Sequence, residues 1–282
     1  RGLGDVYKRQ MTDMSMLVAG NGAGMKFKAA SITNLALESA TPITQIDFTT
    51  WQWLSNPDNP DESETDTSKL TAPWIGRLTT KGEFSAITSL TGLGASKTTL
   101  SQARIGGIFS GQMSIHGNVG SLTATTMDQG MLVASGTVNS VNVTNAVNAT
   151  FWVRNLVKLD VGTAGIIEVG AGAIFDATGL EALSEGNASV ITWGSGSIGA
   201  INAKGSIEFG RFAAGVDPVN TTFLDDDDRN AGNGLISKID IKGQADDVLF
   251  AASGFPSTVK IGGQKIVTSV DDRFFTLDTP NV

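Results

Sequence analysis

The feature that most constrains this chain is a short phrase that keeps returning. It consists of an apolar residue, two small or polar residues, a second apolar residue, one polar residue, and a third apolar or small residue. Copies begin at Ile32, Ile43, Ile75, Val119, Val138, Leu156, Ile198 and Ile236. Two of them read Leu156-Val157-Lys158-Leu159-Asp160-Val161 and Ile236-Ser237-Lys238-Ile239-Asp240-Ile241. The second half of each copy alternates with period two, the signature of a strand with one face buried. An amphipathic helix would instead need apolar residues at i, i+3, i+4 and i+7. The i to i+3 step at the front of the phrase fits a bend just before the strand.

Spacing turns the phrase into an architecture. Val119 to Val138 is about 19 residues and Val138 to Leu156 about 18, while Leu156 to Ile198 and Ile198 to Ile236 are about twice that. Further strand patterns, such as Met113-Ser114-Ile115, Met131-Leu132-Val133, Phe151-Trp152-Val153 and Val190-Ile191-Thr192, fall between copies. The expected fold is therefore all-β: a right-handed parallel β-helix (β-solenoid) with rungs of roughly 20 residues, each holding two or three strands of three to five residues. No single rung buries its own apolar side, so stacking must line Ile, Val and Leu into ladders.

Composition agrees with turns and strands. The chain has 34 glycines, a single histidine, no cysteine, and 17% charged residues over its 282 positions. A net charge of -8 speaks against nucleic acid as a partner. No apolar run is long enough for a membrane helix, so no membrane span is expected. Residues 1-10 read RGLGDVYKRQ, are more basic than the rest of the N-terminal region, and are expected to be a non-native, adapter-derived tail. The solenoid is expected over 11-245, with a loop insertion at 49-72, and 246-282 as a closing segment of the same domain. In that closing segment Phe274 and Phe275 are expected to plug the end of the core.

The stretches Thr71-Ala72-Pro73-Trp74-Ile75-Gly76-Arg77-Leu78-Thr79-Thr80-Lys81-Gly82-Glu83-Phe84 and Phe255-Pro256-Ser257-Thr258-Val259-Lys260-Ile261-Gly262-Gly263 resemble large repetitive β-helical, autotransporter- or adhesin-like surface proteins of planctomycete-type bacteria. So does Phe212-Ala213-Ala214-Gly215-Val216-Asp217-Pro218, which leads into the acidic run. The resemblance spans most of residues 30–275. It implies an extracellular or cell-surface protein and brings no catalytic residues with it.

Candidate sites are few. Gly20-Asn21-Gly22-Ala23-Gly24 has the glycines of a phosphate-binding turn, but the strand-like Met25-Lys26-Phe27-Lys28 stands where a helix N-terminus would be needed. In the acidic run Asp225–Asp228 with Asn230, Asp226, Asp228 and Asn230 have the spacing of a calcium loop. Ala231 and Ser237 stand where that loop needs Gly and Glu, so a solvated loop is the reading for 225-230 and no metal is expected. His116 has no nucleophile motif nearby and is read as a surface residue. The runs Thr79-Thr80 and Thr98-Thr99 do not keep a fixed phase, which excludes a flat threonine array. Glycan cleavage would need acids clustered on one face, and the Asp residues are scattered or gathered in loops. Asp160, Asp176 and Asp240 are the three that could align, with a phase the sequence leaves open by several residues. Sequons at Asn142, Asn148, Asn187 and Asn220 follow from composition.

The expected function is a non-catalytic structural or adhesive module of an exported bacterial surface protein, with surface glycans or other envelope proteins as partners. No catalytic, cofactor-binding or metal site is expected. Binding is expected on a lateral face or on an exposed Trp51/Trp53 excursion. The alternative is a polysaccharide-binding or polysaccharide-cleaving protein.

Overall fold

The computed structural model describes residues 6–20, 24–54, 68–92, 98–218, 223–224 and 228–276. The first half of the chain forms β1 (Val6–Val18), β2 (Met25–Ser39), β3 (Ile43–Phe48), β4 (Thr50–Gln52) and β5 (Lys69–Ala72). It continues through β6 (Ile75–Thr80), β7 (Ile87–Leu90), β8 (Thr98–Phe109), β9 (Gln112–Ile115) and β10 (Asn118–Ala171). After β11 (Ala173–Ile174) come helix α1 (Gly179–Ser184) and β12 (Thr192–Trp193). Then follow β13 (Gly196–Ala203), β14 (Ile207–Ala214), β15 (Val216–Asp217), β16 (Arg229–Asn230), β17 (Gly234–Ile236) and β18 (Ile239–Ile241). The chain closes with β19 (Val248–Ala252), β20 (Thr258–Ile261), β21 (Gln264–Val267) and β22 (Phe274–Thr276).

The all-β expectation stands in this architecture, but the open right-handed β-helix does not. Strand β2 pairs with β3 through its first residues and with β5 through its last. From β3 the parallel pairings run to β6, β8 and β10. From β5 they run to β7, β9 and again β10. The two paths meet, so the main sheet contains a closed parallel barrel of eight strands, with the remaining strands outside it. The β-solenoid description, and with it rungs of one uniform length, is therefore withdrawn. Recurring phrases report which strands lie side by side. They are blind to long strands that bend and take a different neighbour at each end, as β2 and β10 do here.

Strand length explains how the ring closes. In place of strands of three to five residues, β2 has 15, β8 has 12, and β10 runs on for 54. Glycines, asparagines and serines that the sequence offers as turns, Gly136 among them, lie inside β10 as bends in extended backbone. Sequence offsets between paired strands also vary: Ile75 faces Ile43 and Leu100, whereas Ile198 faces Leu156 and Ile236.

Inside, like residues lie on like. Ile43, Ile75, Leu100 and Val119 form one register column, and Ile46, Leu78, Ala103 and Leu122 another. Further along β10, Leu159 continues the pattern with Ile201 and Ile239 on β13 and β18 outside the ring. All of these side chains are buried. Removing each Ile or Leu from water contributes about 1.5–3 kcal/mol, which repeated along the columns offsets the cost of ordering long extended backbone.

Aromatic rings extend the core. Trp51 is fully buried, with its ring edge-on to Phe48 at 5.5 Å and to Phe84 at 5.9 Å, and Phe84 stacks on Phe109 at 6.0 Å. Its Nε1–H donates to Ser68 Oγ at 3.1 Å. The expected exposed Trp51/Trp53 excursion is thus corrected: Trp51 belongs to β4, which pairs with β2, and Trp53 is half-buried. The acidic run 56–64 lies outside the described residues. Near the other end, Phe212, Phe250 and Phe274 stack at 5.2 and 4.9 Å, whereas Phe275 is exposed.

A second apolar cluster sits apart from the columns. Val133, Trp152, Phe175, Leu180, Leu183 and Phe223 pack together there, with α1 as part of the cover. Leu180 and Leu183, one turn apart, supply the buried side of that short helix. Phe223 meets Trp193 edge-on at 4.9 Å and lies flush on Gly170, where a Cβ would come within 2.3 Å of the Phe223 ring.

Truncating a column residue tests this packing. Ile201→Ala is expected to lose about 2–5 kcal/mol of unfolding free energy in urea, and Ile166→Ala, at a half-exposed position, less than about 0.5 kcal/mol. Equal losses at the two positions would contradict the column.

Candidate functional site, a lysine-flanked polar row

The phrase that fills the core also sets its outer face. In Leu159-Asp160-Val161 the two apolar residues point inward and Asp160 outward. The same holds for Ile201-Asn202-Ala203 in β13 and Ile239-Asp240-Ile241 in β18. Parallel register then places Asp160 beside Asn202, Asn202 beside Asp240, and Asp240 beside Lys260. Neighbouring parallel strands lie about 4.8 Å apart, so the row offers a polar group at each such step.

Hydrogen bonds fix the row. Asn202 Nδ2 donates to Asp160 Oδ1 at 2.9 Å, and Lys238 Nζ donates to Asn202 Oδ1 at 3.0 Å. Lys158 Nζ sits 2.6 Å from Asp160 Oδ2, and Lys242 Nζ 3.0 Å from Asp240 Oδ2. The hydrogen bond from Lys242, helped by the charges of Lys242, Lys238 and Lys260, holds the Asp240 carboxyl below its ordinary range. Two shallow depressions open on the row. One of about 340 Å³ is lined by Lys238, Asp240, Thr258, Lys260 and Lys265. The other, of about 150 Å³, is lined by Asn142, Asp160, Asn202, Lys204 and Lys242.

Of the three acids that could align on one face, the fold brings Asp160 and Asp240 together and leaves Asp176 out. Asp176 lies beyond β11, where it accepts from the Thr178 hydroxyl at 2.6 Å and the Gly179 amide at 3.1 Å at the start of α1. Those bonds, that of Thr178 first, keep its carboxyl below the ordinary range. The lysines were the part of the row that sequence reasoning missed. Their signal was there: Lys158 and Lys238 fill the third position of their phrases, and Lys204 and Lys242 the seventh.

The other candidates lie elsewhere. His116 is half-buried, with Nδ1 3.0 Å from the Thr91 carbonyl oxygen. Of the glycine-rich stretch, residues 21–23 lie outside the described residues, and β2 begins at Met25, directly after Gly24. Of the acidic run, Asp228 is described and accepts from the Leu224 amide, while Asp225–Asp227 are outside the described residues. Among the described residues no three His, Cys, Asp or Glu side chains group as metal ligands.

One carboxylate is held in the opposite sense from Asp240. Glu168, on β10 beside the second apolar cluster, accepts from Trp152 Nε1–H at 2.7 Å. Burial raises its pKa, against the lowering effect of hydrogen bonds from Trp152 and the Phe223 backbone. Arg211, its register partner on β14, is ion-paired at 3.2 Å with Asp247.

No family model, curated protein or solved structure matches the chain.

Glu168 gives a pH prediction. Because its folded pKa lies above the ordinary 4.5, the native state takes up a proton before the unfolded chain does, and stability rises as pH falls through the folded value toward 4.5. Glu168→Gln keeps an acceptor for Trp152 and removes the desolvated charge. The variant is expected to melt above the parent at pH 7, with the gap closing toward pH 4.5. A gap that widens on acidification would contradict the assignment.

Proposed function

We propose that this chain is a non-catalytic adhesive module of an exported bacterial surface protein, and that it holds a glycan along the row Asp160–Asn202–Asp240. The observation that carries this reading is the row itself. It alternates acceptors and donors in step with the strands, and inward-facing ladders on both sides of each outward residue keep it rigid. Sugar hydroxyls donate and accept, so a surface offering both kinds of group at short regular intervals suits a chain of sugar rings. Shallow open depressions also suit a polymer lying across strands better than a small molecule, which favours an enclosed pocket.

Catalysis fits the same residues less well. Glycoside cleavage needs one carboxyl group that stays protonated near neutral pH to act as the acid. Asp240 is pushed the other way, and Asp160 carries an ammonium group at 2.6 Å. Both acids are engaged in positioning lysines. No helix among the described residues is long and apolar enough to cross a membrane.

Affinity electrophoresis through gels loaded with a panel of soluble polysaccharides tests the proposal. Retardation by at least one polymer is expected, with no new reducing or unsaturated ends after prolonged incubation. Turnover would replace the adhesive reading with an enzymatic one, and passage through every gel unretarded would remove the glycan.

A further inference from the structure

The polar row is one part of a face whose charge runs against that of the whole chain. With 28 acidic and 20 basic residues the protein carries a net charge of -8. The outward positions of the paired phrases have the opposite balance. At the third position of the phrase, Lys26 lies beside Gln45, Gln45 beside Arg77, and Arg77 beside Gln102. Lys158 and Lys238 occupy that position further along. Among the described residues it holds no acid.

The fifth position is mixed. Lys28 faces Asp47, Thr79 faces both Asp47 and Arg104, and the run ends with Asp160, Asn202, Asp240 and Lys260. At the seventh position Lys81, Lys204 and Lys242 are all exposed. Acids gather in other places: Asp176, Glu181 and Glu185 around α1, Asp246 and Asp247 before β19, and Asp271 and Asp272 before β22. Lys204, Lys260 and Lys265 have no ion-pair partner among the described residues, and all three are exposed at the two depressions on the row.

Resting on the glycan-binding reading above, we infer that this face takes an acidic polysaccharide, one bearing carboxylate groups, with its chain axis across the strands. The centre of the face supplies carboxylate and amide acceptors for sugar hydroxyls. Ammonium groups on both flanks supply the countercharge for uronate carboxylates. A uronate polymer offers hydroxyl donors to Asp47, Asp160 and Asp240 in the central row as well as carboxylates to the flanks. The backbone of single-stranded DNA has no hydroxyls to give these acceptors and leaves its phosphates against their charge. A neutral glycan offers no countercharge to Lys204, Lys260 and Lys265, which have no ion-pair partner among the described residues. Exposed ammonium groups at this density act over a range of about 8–10 Å at ordinary ionic strength, which makes the interaction sensitive to salt.

Binding of the full chain to immobilised polygalacturonate, dextran and single-stranded DNA, at low and high salt, tests the inference. Polygalacturonate is expected to bind, to weaken steeply with added salt, and to lose about tenfold in affinity with the triple variant K204Q/K238Q/K260Q. The variant Lys69→Gln, on β5 away from this face, is expected to leave affinity unchanged. All four side chains are partly or fully solvent-exposed, and circular dichroism of each variant is the check that it folds. Dextran binding without polygalacturonate binding would overturn the acidic ligand and leave the glycan module standing. Binding to DNA as tight as to polygalacturonate would replace the glycan with a general polyanion. Equal loss from Lys69→Gln would overturn the assigned face, and binding to none of the three would overturn the acidic ligand, while the wider polysaccharide panel decides whether a glycan module remains.

Discussion

Parallel pairing of like on like is the constraint that the remaining structure obeys. When Leu159 lies beside Ile201 and Ile201 beside Ile239, the intervening outward residues have no choice but to form a row of their own. A slip of one residue would exchange the two sets, driving Asp160 or Asp240 inward and exposing Leu159 or Ile239. The cost of burying a carboxylate without a partner far exceeds what any single contact on the outer face contributes. Core and surface are therefore specified by one register. The polar row inherits its order from apolar packing beneath it.

Much of this was legible in the sequence, and the reason is local. The alternation in the second half of each phrase, from Ile46-Asp47-Phe48 to Ile239-Asp240-Ile241, states directly which side chain faces in. It placed Asp160 and Asp240 in the same position of equivalent strands. Asp176 follows no phrase, and nothing in its neighbours tied it to that face. The fold put it beside α1, a helix that a pattern of strands and turns did not suggest. Leu180 and Leu183 are the two residues whose spacing carried that signal.

What the sequence did not convey was closure. Spacing between copies says which strands are neighbours, whereas a ring depends on how far a strand bends and what its other end meets. β2 meets β3 at one end and β5 at the other, and β10 joins β8 and β9, so the pairings return on themselves. The Trp51 reading failed for a related reason. Prolines and acids at 56–64 suggested an excursion from the sequence, and that expectation reached backward across β4. Trp51 instead packs edge-on against both Phe48 and Phe84 in the buried core.

Register between equivalent strands is the claim on which both the packing and the polar row stand, and disulfide trapping measures it directly. The chain has no cysteine, so introduced pairs report without interference. Asn202→Cys combined with Asp240→Cys joins register partners, whose Cα atoms lie about 4.8 Å apart in a parallel pair, within disulfide reach. Asn202→Cys combined with Lys242→Cys is displaced by two residues along the strand. Near-complete crosslinking of the first pair under mild oxidation, with little of the second, is the result expected. Preferential crosslinking of the displaced pair would show a different register and contradict the account.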